Sequence, residues 1–277
     1  MSIKDLLVHV DLTPRCAARL DLATTVARRF EAHLVGLHVQ QPPRPPDHVP
    51  AELRAALMKL DNEAMERAAQ DAKTLFERRT AGTQLSLEWR QATGLVDDTV
   101  ALHARYADLT VVGQPARDET PVLTDAAIDR IILATGRPAL VVPYAGRFET
   151  IGTRVLVAWD GSREATRAIA DAMPFLTTAD SVIVLSINPH RGIRGHGDVP
   201  SADMALHLAR HGVKVDAMHD IARDISIADV LLSRAADLSA DLIVMGAYGH
   251  ARVLELALGG VTRSLLAHMT VPVLMSH

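Results

Sequence analysis

The sequence predicts two tandem doubly wound α/β domains, each a five-stranded parallel sheet with helices on both faces. Three observations carry that reading. The chain repeats itself, apolar runs alternate with helical stretches in the same order in both copies, and several runs are near-continuous Val, Leu and Ile. A chain of 277 residues has room for two domains of ordinary size. Leu6-Leu7-Val8-His9-Val10-Asp11 is echoed by Val155-Leu156-Val157-Ala158-Trp159-Asp160. Ala107-Asp108-Leu109-Thr110-Val111-Val112-Gly113 is echoed by Ala240-Asp241-Leu242-Ile243-Val244-Met245-Gly246. Arg137-Pro138-Ala139-Leu140-Val141-Val142 is echoed by Val271-Pro272-Val273-Leu274-Met275-Ser276. Copies roughly 140 residues apart are too far for a solenoid repeat and fit a duplicated domain. The junction falls around Tyr144–Gly152 and divides the chain into domains 1–146 and 147–277, the second being shorter in its middle.

In the first copy the predicted strands are Asp5–Val10, His33–Val39, Gln84–Trp89, Leu109–Gly113 and Ala139–Pro143. In the second they are Val155–Trp159, Ser181–Ile187, Val213–Met218, Leu242–Gly246 and Val273–Met275. Runs without polar alternation suit strands buried on both faces. Helical spacing marks Pro14–Phe30, Glu52–Arg79 and Ser162–Leu176, the last opened by a serine that can cap it. Strands joined by right-handed helical crossovers give the flavodoxin- or Rossmann-like layout. The two copies should pack about a pseudo-twofold axis through their final strands, making an intramolecular pseudo-dimer, because an apolar sheet edge must be paired or covered. A homodimer of whole chains is compatible with this reading. The proline run Gln41–Asp47 reads as a stiff loop before the long helix.

Composition removes several function classes. Lys+Arg number 29 against 33 Asp+Glu, and the acidic excess is shared evenly between the halves, so no basic footprint for nucleic acid exists. Aromatic residues are 3% of the chain, too few for base-stacking platforms. The one cysteine, Cys16, excludes an internal disulfide and a cysteine-based zinc finger. No apolar run approaches the length of a membrane span, and the start of the chain lacks a signal-peptide pattern. The cytoplasm is the expected compartment.

In an open α/β sheet, ligands bind beyond the carboxyl ends of the strands. Asp160-Gly161-Ser162 follows the first strand of the second half, and a carboxylate there can accept ribose hydroxyls or merely cap the helix. After the fourth strand come Gly246 and Gly249, then nine residues, then Gly259-Gly260-Val261-Thr262 at the start of the last helix. Glycines let backbone approach a ligand closely, and free N–H groups at a helix start attract anions. The constellation suits a phosphate chain lying between two glycine turns.

The G-x2-G-x9-G pattern, in a unit opened by Asp-Gly-Ser, resembles the ATP-binding loop of the universal stress protein family. Ser181–Ile187 and the ending Val271-Pro272-Val273-Leu274-Met275 support the likeness, which covers nearly the whole chain as two tandem copies. The resemblance implies a nucleotide-binding domain at 147–277 that takes an adenine nucleotide, ATP with Mg²⁺ on its phosphates. It implies that Asp160 contacts the ribose, the backbone of Ile187 meets the adenine edge, and Gly246 lies against the ribose. Gly249, Gly259, Gly260 and Thr262 would hold the phosphates. Gly260 departs from the family, which usually has Ser or Thr there. The domain at 1–146 keeps Asp11 and Val39 but follows Gly113 with Gln114-Pro115-Ala116. Asp125-Ala126-Ala127-Ile128-Asp129 replaces its third glycine, which places carboxylates where phosphates would lie, so it reads as a degenerate copy.

Other candidates are weaker. His207 and His211 share a helix face with Asp203, and His196 precedes them; the reading as a solvated face outweighs a metal site within His190–His219. Cys16 at a helix start reads as a buried, inert thiol. No G-x-S-x-G elbow or P-loop lysine occurs, and no general base lines up with the phosphate loop, so at most slow ATP hydrolysis is expected. The expected role is a nucleotide-responsive regulatory or protective one. The rivals are an adenylating enzyme of related fold, disfavoured by Asp160-Gly161-Ser162-Arg163-Glu164 at its pyrophosphate loop, and an interaction module that binds no nucleotide.

Overall fold

The structure, a computed structural model, describes residues 2–42, 50–115, 123–188, 200–249 and 260–277. The first half runs β1 (Asp5–His9), α1 (Cys16–Phe30), β2 (His33–Gln40), α2 (Ala51–Thr80), β3 (Leu87–Thr93), α3 (Val96–Ala104), β4 (Leu109–Gly113), α4 (Asp125–Thr135) and β5 (Ala139–Val142). The second runs β6 (Arg154–Ala158), α5 (Arg163–Leu176), β7 (Ser181–Ile187), α6 (Pro200–Arg210), β8 (Val215–Asp220), α7 (Ile227–Asp237), β9 (Leu242–Gly246), α8 (Gly260–His268) and β10 (Val273–Ser276). All ten strands form one sheet, in the order β3-β2-β1-β4-β5-β10-β9-β6-β7-β8. Every pairing is parallel except β5 with β10, where the halves meet antiparallel. Leu140 pairs with Leu274. These residues hold the same place in the two copies, so the pseudo-twofold axis passes between them.

Alternation along the strands sends side chains into two cores. Leu6, Val8, Val155, Val157, Val182 and Val184 pack under α1, α2, α5 and α6. Leu7, Leu156, Leu185, Ile243 and Met245 pack under α3, α4, α7 and α8. Each core runs through both halves. Phe30 of α1 meets Phe175 of α5 edge to face across the junction, with Arg29 over both rings. Serine and threonine caps set helix starts: Ser162 Oγ accepts from Ala165 N–H (3.1 Å) and Ser226 Oγ from Asp229 N–H (3.1 Å).

The third strand of each half starts two or three residues later than its apolar run implied. Both are sheet edges, β3 and β8, and both mix exposed and half-buried residues with none fully buried. With one side open to solvent, pairing with β2 or β7 rather than apolar content decides where the strand lies. The shorter middle of the second half is visible as α6 of 11 residues against α2 of 30. Most of the proline run lies outside the described residues. Among the described residues no helix is long and apolar enough to cross a membrane.

Candidate functional site

In each half the chain leaves the first strand, moves outward to strands two and three, then returns to the other side of the first to add strands four and five. The direction of winding therefore reverses between strands one and four, which in the second half are β6 and β9. A crevice forms beyond the carboxyl ends at such a switch point, because the two connections leave on opposite faces. Asp160 follows β6, and Gly246 ends β9. The topology thus brings together residues that the sequence separates by more than eighty positions.

Asp160 is exposed. Its Oδ1 accepts from Ser162 N–H (2.9 Å) and Ser162 Oγ–H (2.6 Å). That turn, with Gly161 at φ 76°, orients the serine that caps α5. Ile187 is the last residue of β7. Main-chain groups alternate sides along a strand. Leu185 O accepts from Trp159 N–H on the β6 side (2.9 Å), and Asn188 N–H donates to Asp220 O on the β8 side (3.0 Å). The N–H and C=O of Ile187 therefore turn toward the end of β6, over the crevice. Asn188, at φ 49°, holds the start of the β8–α7 connection with its side-chain amide, which accepts from Ala222 N–H (2.9 Å) and donates to Ala222 O (3.1 Å). An Asn closing a strand was the available signal for this anchor, since Asn tolerates the left-handed region.

Packing explains Gly246. A Cβ there would collide with Ala165 N and come within 2.5 Å of the Glu164 carbonyl carbon. The glycine lets β9 end against the backbone of α5's first turn. Gly249 lies beside the same turn: a Cβ would stand 2.9 Å from Glu164 Oε2 and 3.4 Å from Ser162 Oγ. Gly260 is the first residue of α8, exposed, with open space where a side chain would go. Thr262, two residues on, is buried. Gly259 lies outside the described residues.

Glu164 carried no motif in the sequence, yet it is buried beside Gly249. Burial alone would raise its carboxyl, but Arg163, with Nε donating to Oε1 (2.9 Å), holds it below the usual range. Glu164 is therefore ionised at neutral pH, paired with Arg163.

The first half differs at the matching place. Asp11 repeats the turn of Asp160, accepting from Thr13 N–H (3.0 Å) and Thr13 Oγ–H (2.6 Å), but it is buried. Its Oδ2 pairs with Arg19 Nη2 at 2.8 Å, while Arg19 Nε donates to His9 O (2.8 Å). A Cβ on Gly113 would strike Arg19 Nη1. The guanidinium thus lies between the ends of β1 and β4, across that half's own switch point. Burial pushes His9 down to about 4, against the pull of Asp11 and with the help of Arg19 and His38. Burial opposes ionisation of Asp11 too, but Arg19, His9 and the Thr13 bonds hold it below the usual carboxylate range. Burial also raises the Cys16 thiol, as expected of an inert cysteine.

Of the two first-half carboxylates expected to face a phosphate site, Asp125 is exposed in the first turn of α4 and Asp129 is turned elsewhere. Asp129 is buried against the second half, accepting from Tyr248 Oη–H and lying 3.4 Å from Arg263 Nε. What closes the first crevice is Arg19. His207 and His211 do share a face, their rings 4.8 Å apart and edge to face. His196 lies outside the described residues, and no group of three His, Cys, Asp or Glu converges among the described ones.

Comparisons with known proteins agree with this architecture. The model of the universal stress protein family matches residues 153–277. Universal stress protein Slr1230 of Synechocystis sp. (strain ATCC 27184 / PCC 6803 / Kazusa) is 27% identical over 195 residues, 68% of this chain, so the likeness reaches into the first half. The match spans 64% of that relative's length. A universal stress protein from Archaeoglobus fulgidus DSM 4304 superposes with a TM-score of 0.69 at 15% identity, covering 98% of this chain and 96% of that one. A protein of unknown function from Pseudomonas aeruginosa PAO1 gives 0.57 at 19% identity, covering 99% and 92%. At such identities the structures speak for the fold, and the family model speaks for the second half. Residues 153–277 thus match the universal stress protein family, and the chain as a whole is similar to members of it.

Proposed function

We propose that the second half binds one adenine nucleotide, ATP with Mg²⁺, in the crevice between the ends of β6 and β9, and that the protein serves as a nucleotide-responsive regulatory or protective factor of the cytoplasm. The observation that carries this is the meeting of Asp160, Ile187, Gly246 and Gly249 at the topological switch point. Asp160 would accept the ribose hydroxyls, since a carboxylate favours hydroxyl donors and repels phosphate. Ile187 would present one donor and one acceptor to the adenine edge. Gly249 and the start of α8 at Gly259 and Gly260 would bring main-chain N–H groups to the phosphates. Thr262, buried in that first turn, would support the helix start more than it touches phosphate.

Glu164 and Ser162 are the oxygen-bearing side chains that would face a magnesium ion carried on the phosphates. Glu164 is an ionised carboxylate beside Gly249, paired with Arg163, and the Ser162 hydroxyl also lies near Gly249. Hard oxygen ligands of this kind suit Mg²⁺ shared with phosphate oxygens. When bound, the ion would supply the positive charge that lets phosphates settle beside Glu164. Glu164, the carboxylate beside Gly249, is held below the usual carboxylate range rather than raised toward that of a general base, and the reading is of binding rather than fast turnover.

Calorimetric titration with ATP and GTP, each with Mg²⁺, tests the reading. Guanine puts a carbonyl where adenine has an amino group, and a mismatched buried polar group costs about 1–3 kcal/mol. ATP should therefore bind about ten-fold or more tightly than GTP. Gly249→Val should abolish binding, because its branched side chain enters space beside Glu164 and Ser162. Equal affinities, or no binding of either nucleotide, would remove the proposal.

A further inference from the structure

The glycine loop of the second half is gripped at both of its described ends by one carboxylate of the first half. Tyr248 stands between Gly246 and Gly249, and its hydroxyl donates to Asp129 Oδ1. Arg263 stands in the first turns of α8, and its Nε lies 3.4 Å from Asp129 Oδ2. Asp129 and Tyr248 are buried, Arg263 is half exposed. A second strut comes from Gln114, whose Nε2 donates to Leu266 O (2.6 Å) while its Oε1 accepts from Tyr144 N–H (3.0 Å). The burial of Tyr248 and the bond to Asp129 both keep its phenol protonated far into the alkaline range.

Tyr248 adopts φ 62°, a left-handed conformation that a bulky residue rarely holds. Such a conformation persists only where the surroundings impose it. The imposed contacts here are burial of the ring and the bond to Asp129. The first half has Pro115 at the place of Tyr248, so no reciprocal latch can form.

The pairing also exploits the duplication. Asp129 and Arg263 each lie ten residues before Ala139 and Val273, the matching first residues of β5 and β10. Under an exact two-fold axis like would meet like at this position. In the duplicated chain one copy carries the anion and the other the cation, and attraction replaces repulsion.

We propose that Asp129 is a positioning residue for the phosphate side of the proposed site: the half without a glycine set holds Tyr248, and with it the 246–249 turn, together with Arg263 of the other half. The inference rests on the nucleotide reading for its consequence, though the latch itself does not depend on it. Because Asp160 follows β6 and Ile187 ends β7, outside the elements that carry the latch, its release should weaken the grip on phosphates and spare the nucleoside.

The test uses the full chain and three variants. Asp129→Leu removes the carboxylate and keeps apolar bulk, Asp129→Asn keeps an acceptor oxygen, and Tyr248→Phe removes only the hydroxyl. Amide hydrogen exchange of residues 246–249 is measured without ligand, and affinities are measured for ATP with Mg²⁺ and for adenosine. Asp129→Leu and Tyr248→Phe should speed exchange in this segment and weaken ATP about ten-fold. Adenosine should change by less than about two-fold, and Asp129→Asn should recover most of the loss. Unchanged exchange in both Asp129→Leu and Tyr248→Phe would overturn the proposal, as would equal losses for ATP and adenosine. Should the wild type bind neither, the function reading falls while exchange still decides whether Asp129 holds the loop.

Discussion

Arg19 is the residue that most sharply separates the two halves. The second half has Ala168 at the matching helical position, buried and without charge. In the first half the guanidinium is 3% exposed and neutralises Asp11, itself 5% exposed. A buried ion pair is a weak stabiliser as a whole, but removing one partner leaves an uncompensated charge, which costs about 3–5 kcal/mol. Arg19→Met should therefore cost about that much, while Arg19→Met with Asp11→Asn should cost less than Arg19→Met alone. Denaturant unfolding of the wild type, both single variants and the pair gives the cycle. Additive losses would mean that the two groups do not compensate each other. None of this was legible in the sequence. Arg19 sits in an Ala/Arg-rich helix where arginines ordinarily face water, as Arg28 does. Its inward turn follows from the end of β1, ten residues back, and from the glycine of β4, which is remote in sequence. Asp129 was misread for the same reason, since its partners come from the other half.

At the scale of elements, the buried strands were readable because both of their faces need apolar side chains. Ser181–Ile187 and Leu242–Gly246 were placed to the residue. The edges β3 and β8 were not, because one side of each is wet and their pattern is set by neighbours. The glycines show the same division. Gly246 and Gly260 look alike in a motif, yet their surroundings differ. Gly246 ends β9 with its Cα against the backbone of α5, and a Cβ would force strand and helix apart. Gly260 opens α8 with nothing nearby. Gly246→Ala should destabilise the fold by about 1–3 kcal/mol through overpacking, with or without nucleotide. Gly260→Ala should leave stability unchanged or raise it by up to about 1 kcal/mol, since alanine is the better helix former. Thermal and denaturant unfolding of the two variants checks the contrast, and a harmless Gly246→Ala would show that the helix can yield. The comparison also separates packing from binding, because Gly246→Ala should lose stability even where no ligand is present.

On the scale of the whole molecule, duplication within one chain frees the two copies to diverge while their contact is kept. The antiparallel pairing of β5 with β10 hides the apolar edge that each half would otherwise expose. The two cores are continuous across that seam, so each half is part of the other's support. The first half has used this freedom to fill its crevice with Arg19 and to lend Asp129 to its neighbour. The second keeps its switch point lined by Asp160, Gly246 and Gly249, with Ala168 where the first half has a guanidinium. ATP with Mg²⁺ should therefore saturate at about one equivalent per chain, and Asp160→Ala should remove that site. The matching change in the first half, Asp11→Asn, should leave the stoichiometry and affinity of nucleotide unchanged, because Asp11 is engaged by Arg19 and Thr13. Calorimetry on the wild type and the two variants reads both numbers. Two equal sites per chain, or loss of nucleotide binding by Asp11→Asn in a folded protein, would mean that the first crevice is open to ligand and that Arg19 is a ligand contact instead of a plug.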